Sequence, residues 1–148
     1  MGSQEPVVFE PIRIVGIIEE DVGMPRGDGT PGSDLYRIPF RLSRQPPAEW
    51  VPFFNEAWRN PPVYSSMHQV SIAKLAGDRI ILDRTTMFAV EQAHKETLVL
   101  CVTQANDRYV AAQAQAEARE KAQRQAEKER TIRHKQEVAE VVNRIRFD

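Results

Sequence analysis

Tyr36, Ile38, Phe40 and Leu42 alternate with Arg37, Pro39 and Arg41, and this period of two predicts a half-buried strand over residues 35–42. Pro39 points that strand toward a sheet edge, because proline has no N–H for the ladder. Upstream, residues 7–19 are β-branched and mostly apolar, with Ile12, Ile14 and Ile18 expected on one face and Val15 and Ile17 on the other. A strand that is apolar on both faces belongs in the middle of a sheet or under cover on both sides. Pro11 marks the start of its paired part, and Gly16 suggests a bulge or a close backbone approach. Between the two strands, Gly23, Gly27, Gly29 and Gly32 with Pro25 and Pro31 predict a long exposed loop over 20–34. The pair is then a hairpin with an unusually long connection.

The period changes after Pro47. Trp50, Phe54 and Trp58 recur every four residues and predict a helical stripe over about 48–59. Pro52 either begins this helix or kinks it, since an interior proline costs about 3 kcal/mol. Asn60-Pro61-Pro62 ends it. Residues 69–75 and 79–84 are two further β-rich runs around Gly77-Asp78, a tight-hairpin signal that sets Leu75 opposite Ile80 and Ala73 opposite Leu82. Thr85 or Thr86 caps the next helix. From there Met87, Val90, His94, Thr97, Leu98, Cys101, Ala105, Tyr109 and Ala112 follow three- and four-residue steps. No glycine or proline occurs from Arg79 onward to stop this helix. The order ββαββα predicts an α+β fold, a mainly antiparallel four-stranded sheet with helices on one face.

Residues 111–130 are almost entirely Ala, Gln, Glu, Lys and Arg, strong helix formers that bury nothing by themselves. Two regions are therefore expected, an α+β core over 1–110 and a charged helical extension over 111–148. Large apolar side chains return at Ile132, Val138, Val141, Val142, Ile145 and Phe147, and Val138 to Ile145 have the spacing of a contact face. A helix running unbroken from 86 to 145 is about 90 Å long, against a radius of gyration of about 15 Å for a core of this size. It must project from the core, unless it breaks near 131–136. The four-residue repeat of Ala114, Ala118, Ala122 and Ala126 drifts off a heptad seam and does not make a coiled coil.

Composition narrows the function classes. The 148 residues carry 20 Lys+Arg against 21 Asp+Glu, with 41% hydrophobic and 28% charged residues, the profile of a single soluble domain. The longest apolar runs, Ile14–Ile18 and Leu98–Val102, fall far short of the roughly 20 residues of a membrane span. The first residues lack the basic and apolar pattern of an export signal, so a cytoplasmic setting is expected. The single cysteine, Cys101, forbids an intrachain disulfide.

Candidate chemistry is sparse. His68, His94 and His134 share no ligand spacing, and the one Glu-x-x-His step, Glu91 to His94, is half of what a di-metal bundle needs. Cys101 lies on an apolar helix face, a small buried hydrophobe rather than a nucleophile. The glycines of 20–34 do not enter a helix and make no phosphate cradle, although a loop of that length is often functional. The Trp50, Phe54 and Trp58 stripe reads as core in preference to a binding platform. No catalytic, metal-binding or cofactor residue is assigned, and no cofactor is expected.

The leading expectation is a non-enzymatic interaction or assembly module that uses the C-terminal helix, through Ile132, Val138, Val141, Val142, Ile145 and Phe147, for self-association or contact with a protein partner. The first alternative is a small-ligand binder or enzyme, with a pocket between the sheet, the 20–34 loop and Arg37, Arg41 or His68. A third is nucleic-acid association through the tail. Its interspersed charges, nine basic against seven acidic residues over 111–148, weigh against that reading.

Overall fold

The computed structural model describes residues 8–27, 34–145 and 147. The alternating run forms β2 (Tyr36–Leu42), which pairs antiparallel with β4 (Arg79–Thr85). β1 (Ile14–Ile17) adds to the outer side of β2 and β3 (Ala73–Ala76) to the outer side of β4, giving an antiparallel sheet in the order β1-β2-β4-β3. α1 (Val51–Arg59) lies between the two hairpins in sequence. After β4 the chain stays helical through α2 (Met87–Ala89), a π-helical turn at Val90–His94 and α3 (Lys95–Arg144). The fold is α+β, in the order ββαββα.

One face of the sheet carries the core. Ile38, Phe40 and Leu42 of β2 and Ile80 and Leu82 of β4 pack against Trp50, Phe54 and Trp58 and against Leu98, Cys101, Val102 and Ala105 of α3. The three aromatic rings stack in succession, Trp50 on Phe54 at 5.7 Å and Phe54 on Trp58 at 6.5 Å between centroids. The stripe is core, as its spacing suggests. Pro52 stands in the first turn of α1, where its missing N–H costs nothing, so it begins the helix and does not kink it. The Gly77-Asp78 hairpin has the expected register, Leu75 opposite Ile80 and Ala73 opposite Leu82. Gly77 takes φ +61°, the conformation this turn demands of its first central residue. Thr86 caps the helix, its Oγ1 accepting the Ala89 N–H at 3.0 Å.

Four local expectations need correction. β1 covers four residues rather than 7–19 (residue 7 lies outside the described residues), and it is an edge strand, not a central one. Val15 and Ile17 are both exposed. Ile14 pairs with Leu42 but Gly16 with Arg41, so one extra residue is bulged out and the alternation inverts beyond it. Ile18 consequently falls beside Pro39 and away from the face of Ile12 and Ile14.

β2, in turn, is central despite Pro39. The Pro39 carbonyl accepts the Ile18 N–H at 3.0 Å, which shows that the missing donor also faces the β1 side. There the chain leaves the ladder for a 3₁₀ turn at Glu19–Asp21, so no bond toward β4 is lost. The 20–34 connection is only partly loop: Gly23 donates to Arg37, and Arg26 and Leu35 exchange both backbone bonds. Residues 28–33 lie outside the described residues. Finally, the segment before β3 is a 3₁₀ turn over Val70–Ile72 that drops Ile72 into the core.

Residues 1–110 and 111–148 form two compact units. In the second, α3 continues without a break at 131–136, and every described residue from 113 to 145 is exposed. Its Ala, Glu, Lys, Arg and Gln content is what lets a helix exist with so little burial.

In the first unit the N-terminal segment, α1 and α3 meet at one side chain. The Asn106 amide is 9% exposed. Its Oδ1 accepts from the Ile12 N–H (3.0 Å) and from the Trp50 Nε1–H (2.9 Å), and its Nδ2 donates to the Ile12 carbonyl (2.9 Å). Replacing it by alanine strands two donors and one acceptor in the core, each at about 1–3 kcal/mol. Asn106→Ala is expected to lower unfolding free energy by roughly 3 kcal/mol or more, read by urea denaturation. Asn106→Asp keeps the acceptor but sets a carboxylate oxygen against the Ile12 carbonyl in the core, so it is also expected to be less stable than the wild type.

Candidate functional site

The end of β4 is irregular. Tyr36 pairs with Thr85 and Ile38 with Leu82, so Asp83 and Arg84 together oppose Arg37 and form a bulge. Arg84 takes φ +55°, a left-handed conformation normally left to glycine. Asp83 helps hold it there, its Oδ1 accepting the Arg84 N–H at 2.9 Å. A few residues on, the helix widens into the π-turn, closed by the Lys95 N–H on the Val90 carbonyl, and this turn carries Val90 and His94 into the core.

Bulge and π-turn border one concavity of about 310 Å³. Met67, Ile72 and Phe88 contribute apolar wall, Thr85 and Arg84 the strand side, and His94 the buried base. Arg84 is the one charged residue on its lining, and it makes no ion pair with a described residue.

His94 is 1% exposed, and its Nδ1 has no hydrogen-bond partner among the described residues. Trp58 lies between it and His68, with ring centroids 5.9 Å and 4.3 Å away respectively. His68 donates from Nε2 to the Trp58 carbonyl at 2.6 Å, and its own Nδ1 is likewise buried and unpartnered. Burial lowers the His94 pKa below 6.5, and the neighbouring His68 adds to the effect. His94 is therefore neutral at pH 7. Glu91 is exposed while His94 is buried, so the Glu-x-x-His step does not converge. Cys101 is buried and burial pushes its thiol up to about 11, so the nucleophilic thiolate is essentially absent at neutral pH.

The other polar residues singled out by sequence stay apart from this concavity. Arg37 is exposed, Arg41 faces Asp78 at 3.9 Å, and His68 is taken up by Trp58; none of the three lines it. Of the polar groups that do line it, Arg84 sits in an ordinary strand pattern without a signal, whereas His94 and Thr86 stand out in the sequence for other reasons, a Glu-x-x-His step and a helix cap. On α3, Val138, Val141, Val142 and Ile145 are 46–59% exposed, and Ile132 is similarly open. Phe147, beyond the helix end, is exposed as well. Ile132 lies about 120° around the helix from Val138, off the stripe of the other four.

Because the native state resists protonating His94 while the unfolded chain does not, His94 contributes fully to stability above pH 6.5 and loses that contribution as pH falls from 6.5 toward its lowered native value. Thermal melts below pH 6.5 are expected to decline less steeply for His94→Gln than for the wild type. Cys101 is expected to resist a disulfide reagent such as dithionitrobenzoate in the native protein at pH 8 and to react within seconds to minutes once the protein is unfolded in guanidinium. Compared against protein-family models, curated proteins and solved structures, the chain matches none, so its function rests on the geometry of these two regions.

Proposed function

We propose that this protein is a non-enzymatic assembly module whose α3 pairs through Val138, Val141, Val142 and Ile145, in the first instance with a second copy of the chain. The observation that supports this reading is an apolar stripe of two helical turns that stays half exposed on a long continuous helix. An isolated stripe of this kind gains stability only by burial against another surface. The charges around it are mixed: Arg133, Lys135 and Arg144 stand with Glu137 and Glu140, leaving no strong field of one sign to repel an identical helix. Toward the core the stripe ends, because the positions that would continue it, His134, Thr131 and Glu127, are polar. The contact is accordingly short, and its affinity is expected to be moderate and concentration-dependent.

None of the described helices is long and apolar enough to cross a membrane. Phe147 and Ile132 flank the stripe and are not needed for the reading. Nucleic-acid binding is the weaker proposal, because acidic and basic side chains are interspersed along the same helix.

Light scattering on the full chain over a concentration series is expected to show a dimer or larger species. Val138→Glu combined with Ile145→Glu is expected to shift it to monomer with unchanged helicity by circular dichroism. A wild-type chain that stays monomeric at every concentration reached, and draws no shift from the double substitution, overturns self-association.

A further inference from the structure

We infer that the concavity over His94 is a binding site for a small organic acid with an apolar body, whose carboxylate engages Arg84. This inference is independent of the helical contact proposed above, because every residue that lines the cavity lies between 35 and 94.

Size and walls come first. About 310 Å³ is at the small end of ligand cavities, enough for one ring or a short branched chain with a single polar group. Phe88, Ile72, Met67 and Leu35 supply an apolar surface that would otherwise be wet. The polar end is set by charge: Arg84 is the one charged residue of the lining, with no carboxylate on the same surface. A guanidinium meets a carboxylate by two parallel hydrogen bonds, a geometry lysine would not offer. A single arginine without a cluster of backbone donors suits a monoanion better than a phosphate dianion.

His94 closes the base of the cavity as a packed ring whose Nδ1 is itself shut off from that space, so the polar end of the ligand is left to Arg84.

The backbone points the same way. A left-handed arginine and a π-turn are both local departures from low-energy geometry, and here they border a single cavity. Such features persist where they position a functional group. A glycine at position 84 would relax the strain but would also remove the guanidinium. The sequence retains arginine at that cost.

The test uses the full chain with 3-phenylpropanoate and hexanoate as probes, and their uncharged amides as controls. Binding is followed by calorimetry and by the imidazole ¹⁵N resonances of His94. Saturable binding of at least one acid is expected, with a shift at His94 and at least tenfold weaker binding of the matching amide. Arg84→Gly is expected to melt at a higher temperature than the wild type and to bind the acid at least tenfold more weakly, a combination that a purely structural role for Arg84 would not produce. Equal binding of acid and amide, binding unchanged by Arg84→Gly, or no saturation by either acid overturns the inference.

Discussion

The core is organised around the three hydrogen bonds of the Asn106 amide. At Ile12 the chain has not yet entered the sheet, so its N–H and carbonyl have no ladder partner while its side chain is fully buried. A helix cannot offer its own backbone to such a segment, because those groups are already used internally. A side-chain amide can, since it carries one donor and one acceptor in the same arrangement as a peptide group. By also accepting from the Trp50 indole, Asn106 places α1 relative to α3, and with it the stack that runs from Trp50 through Phe54 to Trp58. The position of Trp58 then decides where His68 and His94 come to rest. A polar contact in the core thus governs an aromatic layer, and the aromatic layer governs the base of the cavity.

Irregular geometry has two different origins in this sheet. The bulge in β1 lies on an edge strand, where an unpaired residue is cheap and the added twist keeps the edge from pairing with another chain. The bulge in β4 lies in a central strand, where a ladder position is lost and a left-handed arginine is held in place. The π-turn follows within a few residues. The hairpin on the other side of the same strand shows how the chain behaves when nothing opposes local preference: Gly77 takes the positive φ and the register is regular. Gly77 takes its positive φ in the turn before β4, whereas Arg84 takes one within the strand.

The long helix is held by two unlike mechanisms along its length. From Lys95 to about Val110 it is stabilised by burial, with Leu98, Cys101, Val102 and Ala105 against the sheet. Beyond that the side chains are exposed, and stability comes from intrinsic propensity and from side-chain contacts one turn apart, such as Gln125 to Glu129. Each of these is worth only tenths of a kcal/mol. That is why the apolar stripe at the far end matters: it is the part of the second unit with surface to gain from burial.

The order of elements, the aromatic stripe, the Gly77 hairpin and the Thr86 cap were all legible in the chain, because each depends on residues within a turn or a strand length of one another. Periodicity and turn chemistry are local properties. What the sequence by itself did not determine was everything that depends on which strand lies beside which. The edge position of β1 and the central position of β2 followed from where the missing donor of Pro39 points, and that is a fact about its neighbour. The inversion at Val15, the left-handed Arg84 and the meeting of His68 with His94 across Trp58 are long-range outcomes with no spacing to announce them. Asn106 carries no signal in the sequence; its role comes from a segment 94 positions away. Tertiary packing alone selects such groups, because the cost of leaving a buried donor or acceptor unpaired is incurred only once the chain has closed around it.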